Sequence, residues 1–75
     1  HQRRPAPESS LTPREQEVLK LIAKGLNRAD VAELLGLSKY TVSDYIKVIY
    51  RKLDVSSRAE ATLEAERLGL IRTGR

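Results

Sequence analysis

One stretch constrains this chain more than any other. From Arg28 to Leu53 it runs RADVAELLGLSKYTVSDYIKVIYRKL, with helical apolar spacing on both sides of a break at Gly36. Two short helices joined by a tight turn satisfy that pattern. Val31, Leu35, Leu37, Val42 and Tyr45 supply the apolar positions, and Ala32 and Gly36 stand four apart. Each has a steric reason to be there. A small side chain at Ala32 lets the second helix cross closely over the first. Gly36 can take the positive φ that ends a helix and turns the chain sharply. Ser38 can cap the next helix by accepting a hydrogen bond from a backbone N–H of its first turn. A plain helical hairpin explains the apolar spacing but not the small residue, the glycine and the cap together. The combination predicts a helix-turn-helix, the arrangement that presents its second helix to DNA.

Composition narrows the alternatives. The chain has 75 residues, enough for one small domain whose core must be economical. There is no cysteine, which excludes disulfides and thiolate metal sites, and His1 is the only histidine. His1 stands at the terminus and reads as a linker residue. Histidine-dependent triads, thiol catalysis and common zinc sites are therefore excluded. No catalytic constellation, cofactor motif or metal set is visible, so neither an enzyme nor a cofactor is expected. No apolar run approaches the about 20 residues that span a bilayer, and nothing resembles a signal peptide; no membrane partner is expected. The absence of any methionine reads as a domain cut from a longer protein, whose missing part is regulatory.

The net charge is +4 and the pI about 9.8. Its distribution says more. Residues 25–53 carry five basic and three acidic side chains, a balance of +2, whereas residues 58–68 carry two basic and three acidic, a balance of −1. A basic central module beside a faintly acidic last helix favours a polyanionic partner.

Along the chain, residues 1–10 are polar and proline-containing and predict a linker. Thr12 as N-cap, Pro13 in the first helical position and Glu15 closing a capping box start a first helix. Val18, Leu19, Ile22 and Ala23 give it an apolar stripe, widened by Leu21, and Gly25 ends it beside Lys24. Asn27 caps a short second helix, with Asp30 completing a box-like pair, and that helix ends near Leu35–Gly36. The third runs from about 39 to 53 with Val42, Ile46, Ile49 and Leu53 buried. After Asp54-Val55-Ser56, a capping box at Ser57 and Glu60 opens a fourth helix to about Leu68. Gly69 fits the position just past its end, and Leu70 the accompanying hydrophobic contact. The expectation is an all-α, compact four-helix domain containing a helix-turn-helix over residues 11–70, with a linker at 1–10 and a tail at 71–75.

On a 100° wheel the face of the third helix opposite its buried stripe carries Tyr40, Ser43, Asp44, Lys47 and Arg51. In a major groove, residues of the N-terminal half reach base edges while basic residues further on meet phosphate. Lys47 can donate to guanine or pair with phosphate; Arg51 and Lys52 fit backbone contacts. Thr41 and Asn27 can each bond a phosphate oxygen, although Asn27 is first a helix cap. Tyr40 is the tyrosine placed to touch DNA. Tyr45 lies beside the buried stripe, and Tyr40, Tyr45 and Tyr50 share no face that single-stranded bases can stack on. The candidate DNA-binding set is thus Tyr40, Thr41, Ser43, Asp44, Lys47, Arg51 and Lys52.

From Leu11 to about Leu68 the chain resembles the LuxR-type (GerE-like) helix-turn-helix domain of bacterial transcription regulators. The matching text is LTPREQEVLKLIAKGL, VAELLGLSKYTV and RKLDVSSRAEA. The resemblance implies a four-helix domain that acts on double-stranded DNA in the bacterial cytoplasm. It implies a homodimer, often through the helix at 58–68, on an inverted-repeat-like site. It also implies a place C-terminal to a regulatory domain, such as the receiver of a two-component response regulator or a ligand-binding domain. The base-reading positions it implies are Ser43, Asp44 and Lys47. The chain departs from the family pattern at Ser43, where Lys is frequent, at Tyr45, where His is frequent, and at Asp54, where Gly is frequent. Two alternatives stay open: promoter recognition with RNA polymerase, in the manner of sigma factor region 4, and a protein-interaction domain that keeps the fold without binding DNA.

Overall fold

The computed structural model describes residues 11–72. The linker expected at 1–10 and the last part of the expected tail, 73–75, lie outside the described residues. Four helices and no strand make up the described part: α1 (Pro13–Ala23), α2 (Arg28–Leu35), α3 (Lys39–Leu53) and α4 (Arg58–Arg67).

Local chemistry sets both ends of each helix. Thr12, Asn27, Ser38 and Ser57 have extended backbones, and their side-chain oxygens accept the N–H groups of Glu15, Asp30, Thr41 and Glu60 at 2.9–3.1 Å. The return half of the capping box forms at α1, where Thr12 N–H donates to Glu15 Oε1 at 2.9 Å, and at α2, where Asn27 N–H reaches Asp30 Oδ2 at 3.5 Å. At α4 the expected box is only half made. Glu60 reaches one residue further back, to the N–H of Ser56 at 2.6 Å and its hydroxyl at 3.1 Å. Two donors on Ser56 outbid the single N–H of Ser57.

All four helices end in the same left-handed closure. The amides of Leu26, Leu37, Val55 and Leu70 donate to the carbonyls of Leu21, Ala32, Tyr50 and Ala65 at 2.9–3.1 Å. The residue before each donor has positive φ: Gly25, Gly36, Asp54 and Gly69. Asp54 is the single non-glycine among them, with φ 59°. Gly36, at φ 69° and ψ 35°, is the turn of the helix-turn-helix.

The core is built around α1, which packs chiefly on α4 and α3, while α2 packs on α3. Leu11, Val18, Leu19 and Ile22 meet Val31 and Ala32 of α2, Val42, Ile49 and Leu53 of α3, and Ala61 and Ala65 of α4. Two alanines on α4 let its backbone come close to α1. Ile46, expected in the buried stripe, is only half-buried, because a surface groove between α3 and the start of α2 opens over it. Ile71, assigned to the tail by sequence, packs against the core beside Leu70.

Two polar ties join distant segments. The Arg58 guanidinium donates to the carbonyl of Ile22 at 3.1 and 3.3 Å and also to that of Leu26. It thereby ties the start of α4 to carbonyls at and just beyond the end of α1, where Ile22 also accepts the Gly25 amide at 3.0 Å. Glu15, the buried charged residue of the core at 6% exposure, receives Lys52 Nζ on Oε1 at 2.8 Å. The same oxygen accepts Thr12 N–H, so the start of α1 and the end of α3 are held at one atom.

Candidate nucleic-acid interface

α3 has 15 residues and is about 22 Å long at 1.5 Å per residue. Its buried side sets the direction of everything else. With Val42, Ile49 and Leu53 fully enclosed, the opposite side must face solvent. Tyr40, Asp44, Lys47 and Arg51 are exposed there, and Tyr40 is 85% exposed. A tyrosine so open gains little burial in its own domain and can offer both ring and hydroxyl to a partner. Asp44 and Lys47 form no ion pair with each other, so their charges do not cancel locally.

Thr41 is exposed in the first turn. Its oxygen accepts the Ser38 hydroxyl at 3.1 Å, and its N–H is taken by Ser38 at 3.0 Å. A threonine hydroxyl has one donor hydrogen besides its acceptor lone pairs, and that hydrogen suits an outside acceptor.

Ser43 is half-buried and lies in the wall of an open groove of about 730 Å³ between α3 and the start of α2. Lys39, Tyr40 and Tyr50 line it from α3, and Asn27, Arg28 and Ala29 from the start of α2. Arg28 and Lys39 were missed by the sequence reading. Their signal was positional: each is the first residue after an N-cap in the helix-turn-helix, where backbone N–H groups and the helix dipole also favour an anion. Asn27 lies in the same wall but is engaged with Asp30 in the cap, as its sequence context indicated.

Lys52 is placed differently from the rest of the expected set. It stands on the flank of α3 that turns toward α1, with a third of its side chain exposed and its ammonium on Glu15. Burial of Glu15 opposes ionisation. Lys52 as donor and charge, together with the Thr12 amide and hydroxyl, outweighs burial and holds the carboxyl below its ordinary value of 4.5. Tyr45 packs against the core at this same flank.

Among the described residues no three His, Cys, Asp or Glu side chains come together as a metal site. No helix there is long and apolar enough to cross a membrane.

Comparison with known proteins gives a family match and several relatives. The family described as bacterial regulatory proteins, luxR family (GerE), matches residues 9–65. The transcriptional regulatory protein DesR of Bacillus subtilis (strain 168) is 42% identical over 59 residues, which are 79% of this chain and 30% of that protein. The transcriptional regulatory protein LiaR of the same organism is 43% identical over 65 residues, 87% of this chain and 31% of that protein. Its transcriptional regulatory protein ComA is 38% identical over 73 residues, 91% of this chain and 34% of that protein. The chain thus spans about a third of the length of these relatives.

Proposed function

Because the chain belongs to the luxR family of bacterial regulatory proteins, a family of transcription regulators and not an enzyme class, we propose a specific way in which it engages double-stranded DNA. α3 enters the major groove from its N-terminal end. Tyr40, Ser43, Asp44 and Lys47 face base edges, and Thr41 and Arg51 face phosphates. Arg28 and Lys39 add phosphate contacts from the groove beside α3. Lys52, expected from sequence to be a further backbone contact, instead holds α3 in place through Glu15. The observation that carries this reading is the outer face of α3: an exposed tyrosine, two exposed cations and an exposed carboxylate, directly opposite its fully buried stripe.

Dimerisation belongs to the same proposal. On α4 Ala61 and Ala65 point into the core, while Ala59 is exposed and Leu63 is 63% exposed. A Leu63-centred strip on a nearly neutral helix suits a small, weak interface that two half-sites on DNA would tighten by mass action. We also propose that a regulatory domain outside residues 1–75 controls this one, and that the protein acts in the bacterial cytoplasm.

The test begins with selection of bound sites from random duplex DNA, followed by affinity measurements on the selected duplex without RNA polymerase. Lys47→Ala is expected to weaken binding and relax preference at one base pair. Arg51→Ala is expected to weaken all sequences alike and to lower the log–log salt slope by about 0.9. Unchanged affinity in both variants at moderate salt would remove α3 from the interface.

A further inference from the structure

α3 carries one apolar residue that the core does not use and the reading above does not employ. Val42, Ile49 and Leu53 are buried, and Tyr45, Ile46 and Tyr50 pack against the core. Tyr40 is exposed at the tip. Val48 remains: it is half-buried, stands outside the core packing, and lines an open depression of about 200 Å³ with Thr41, Asp44, Tyr45 and Glu15. A β-branched side chain on the open side of a helix is a poor helix former and gains little burial there.

Thr41, Asp44 and Val48 lie at i, i+3 and i+7, so they form one row along the flank of α3 that faces α1. Ser43 and Lys47 form a second row on the other flank. A helix in the major groove turns its two flanks toward the two strands. The depression therefore meets one strand beside the place where Asp44 stands. Beside Asp44 its chemistry disfavours phosphate, because that exposed carboxylate stands at the rim, while the Glu15 carboxylate behind it is already paired with Lys52 and offers no cation. It suits an uncharged base edge with an apolar substituent. The thymine C5-methyl group is that substituent in unmodified DNA, and it projects into the major groove.

We infer that Val48, with the methyl group of Thr41 and the ring of Tyr45, seats the methyl group of a thymine on the strand that Asp44 faces, and so acts as a specificity-determining residue. This rests on the proposed entry of α3 into the major groove. The geometry also orders the readout. Val48 is one helical turn past Asp44, about 6 Å along the axis, so its thymine lies within two base-pair steps of the base beside Asp44.

The experiment replaces each thymine of the selected duplex, one at a time, by deoxyuridine. This removes only the C5-methyl group and leaves every hydrogen bond in place. With the chain as it stands, one thymine is expected to give a three- to fivefold loss of affinity at fixed salt, the size of one methyl group taken from an apolar contact. In Val48→Ala the same replacement is expected to change affinity by less than about 1.5-fold, with cooperative melting showing the variant folded. Uniform tolerance of deoxyuridine by the unsubstituted chain overturns the inference whatever the variant does. So does an unchanged methyl effect in Val48→Ala. Neither result touches the broader reading, which falls if no duplex is bound selectively or if Lys47→Ala and Arg51→Ala both leave affinity unchanged. In either case both fall.

Discussion

Replacing Lys52 by methionine separates a residue that holds α3 in place from one that meets DNA. Methionine keeps the aliphatic stem and removes the charge, leaving Glu15 at 6% exposure with the Thr12 amide still on Oε1. At the 2.8 Å separation and an effective dielectric constant of about 40, suited to a pair one-third open on the lysine side, Coulomb attraction is about 3 kcal/mol. Releasing an ordered lysine side chain returns about 1 kcal/mol. The expected loss is therefore about 2 kcal/mol, below the 3–5 kcal/mol typical of breaking a fully buried pair. In a domain of this size that is a fall in Tm of about 8–16 °C. Urea unfolding followed by far-UV circular dichroism reads it directly. The pH dependence supplies a sign. The folded-state pKa of Glu15 lies below its ordinary 4.5, so the pair's stabilisation is fully present above 4.5 and lost as pH falls through the folded value. The gap between unsubstituted chain and variant must therefore close in acid. Per folded molecule, the DNA salt slope should stay the same. Full stability in Lys52→Met together with a slope lowered by about 0.9 would refute the reasoning and return Lys52 to the phosphate contacts.

Three further outcomes are expected. Gly36→Ala places a Cβ where nothing lies within 4 Å, so its effect is purely conformational; a net loss of about 1 kcal/mol in urea unfolding is expected from the left-handed backbone, and no loss would mean that the turn is not left-handed. Asp44→Ala should raise affinity for non-specific duplex, because it removes a negative charge; if Asp44 also accepts from a cytosine amino group, discrimination at one base pair falls by about 1–3 kcal/mol in a panel of single-base variants. Leu63→Glu should leave melting nearly unchanged, since the side chain is 63% exposed, while analytical ultracentrifugation should show one protomer in place of two on the full site; two protomers still bound would take α4 out of the dimer.

Much of this domain is local in origin, and such features are legible from sequence. Thr12-Pro13-x-Glu15, Asn27 with Asp30, and Ser38 are capping chemistry, satisfied within three residues, so helix starts follow from short words in the chain. Gly25, Gly36 and Gly69 mark the ends for the same reason, since only backbone permissiveness is required there. The outward face of α3 is legible as the complement of a periodic apolar stripe, and Tyr40, Asp44, Lys47 and Arg51 lie where the wheel puts them.

Tertiary structure decided what depends on neighbours far away in the chain. Nothing near Lys52 in sequence announces Glu15, which is 37 residues away, and its place beside Arg51 at the basic end of α3 made it a phosphate candidate. The fold turned one flank of α3 toward α1 and set the Lys52 ammonium on Glu15. The same packing opened a groove over Ile46, brought Arg28 and Lys39 to its walls, and left Val48 outside the core. It also divided α4, turning Ala61 and Ala65 inward and Leu63 outward, where a pattern of small and apolar residues left both faces eligible. Caps and periodicity report a helix to itself. Which flank becomes core and which becomes interface is set by the angle at which helices cross, and that angle is a property of whole packed surfaces, not of any short stretch of chain.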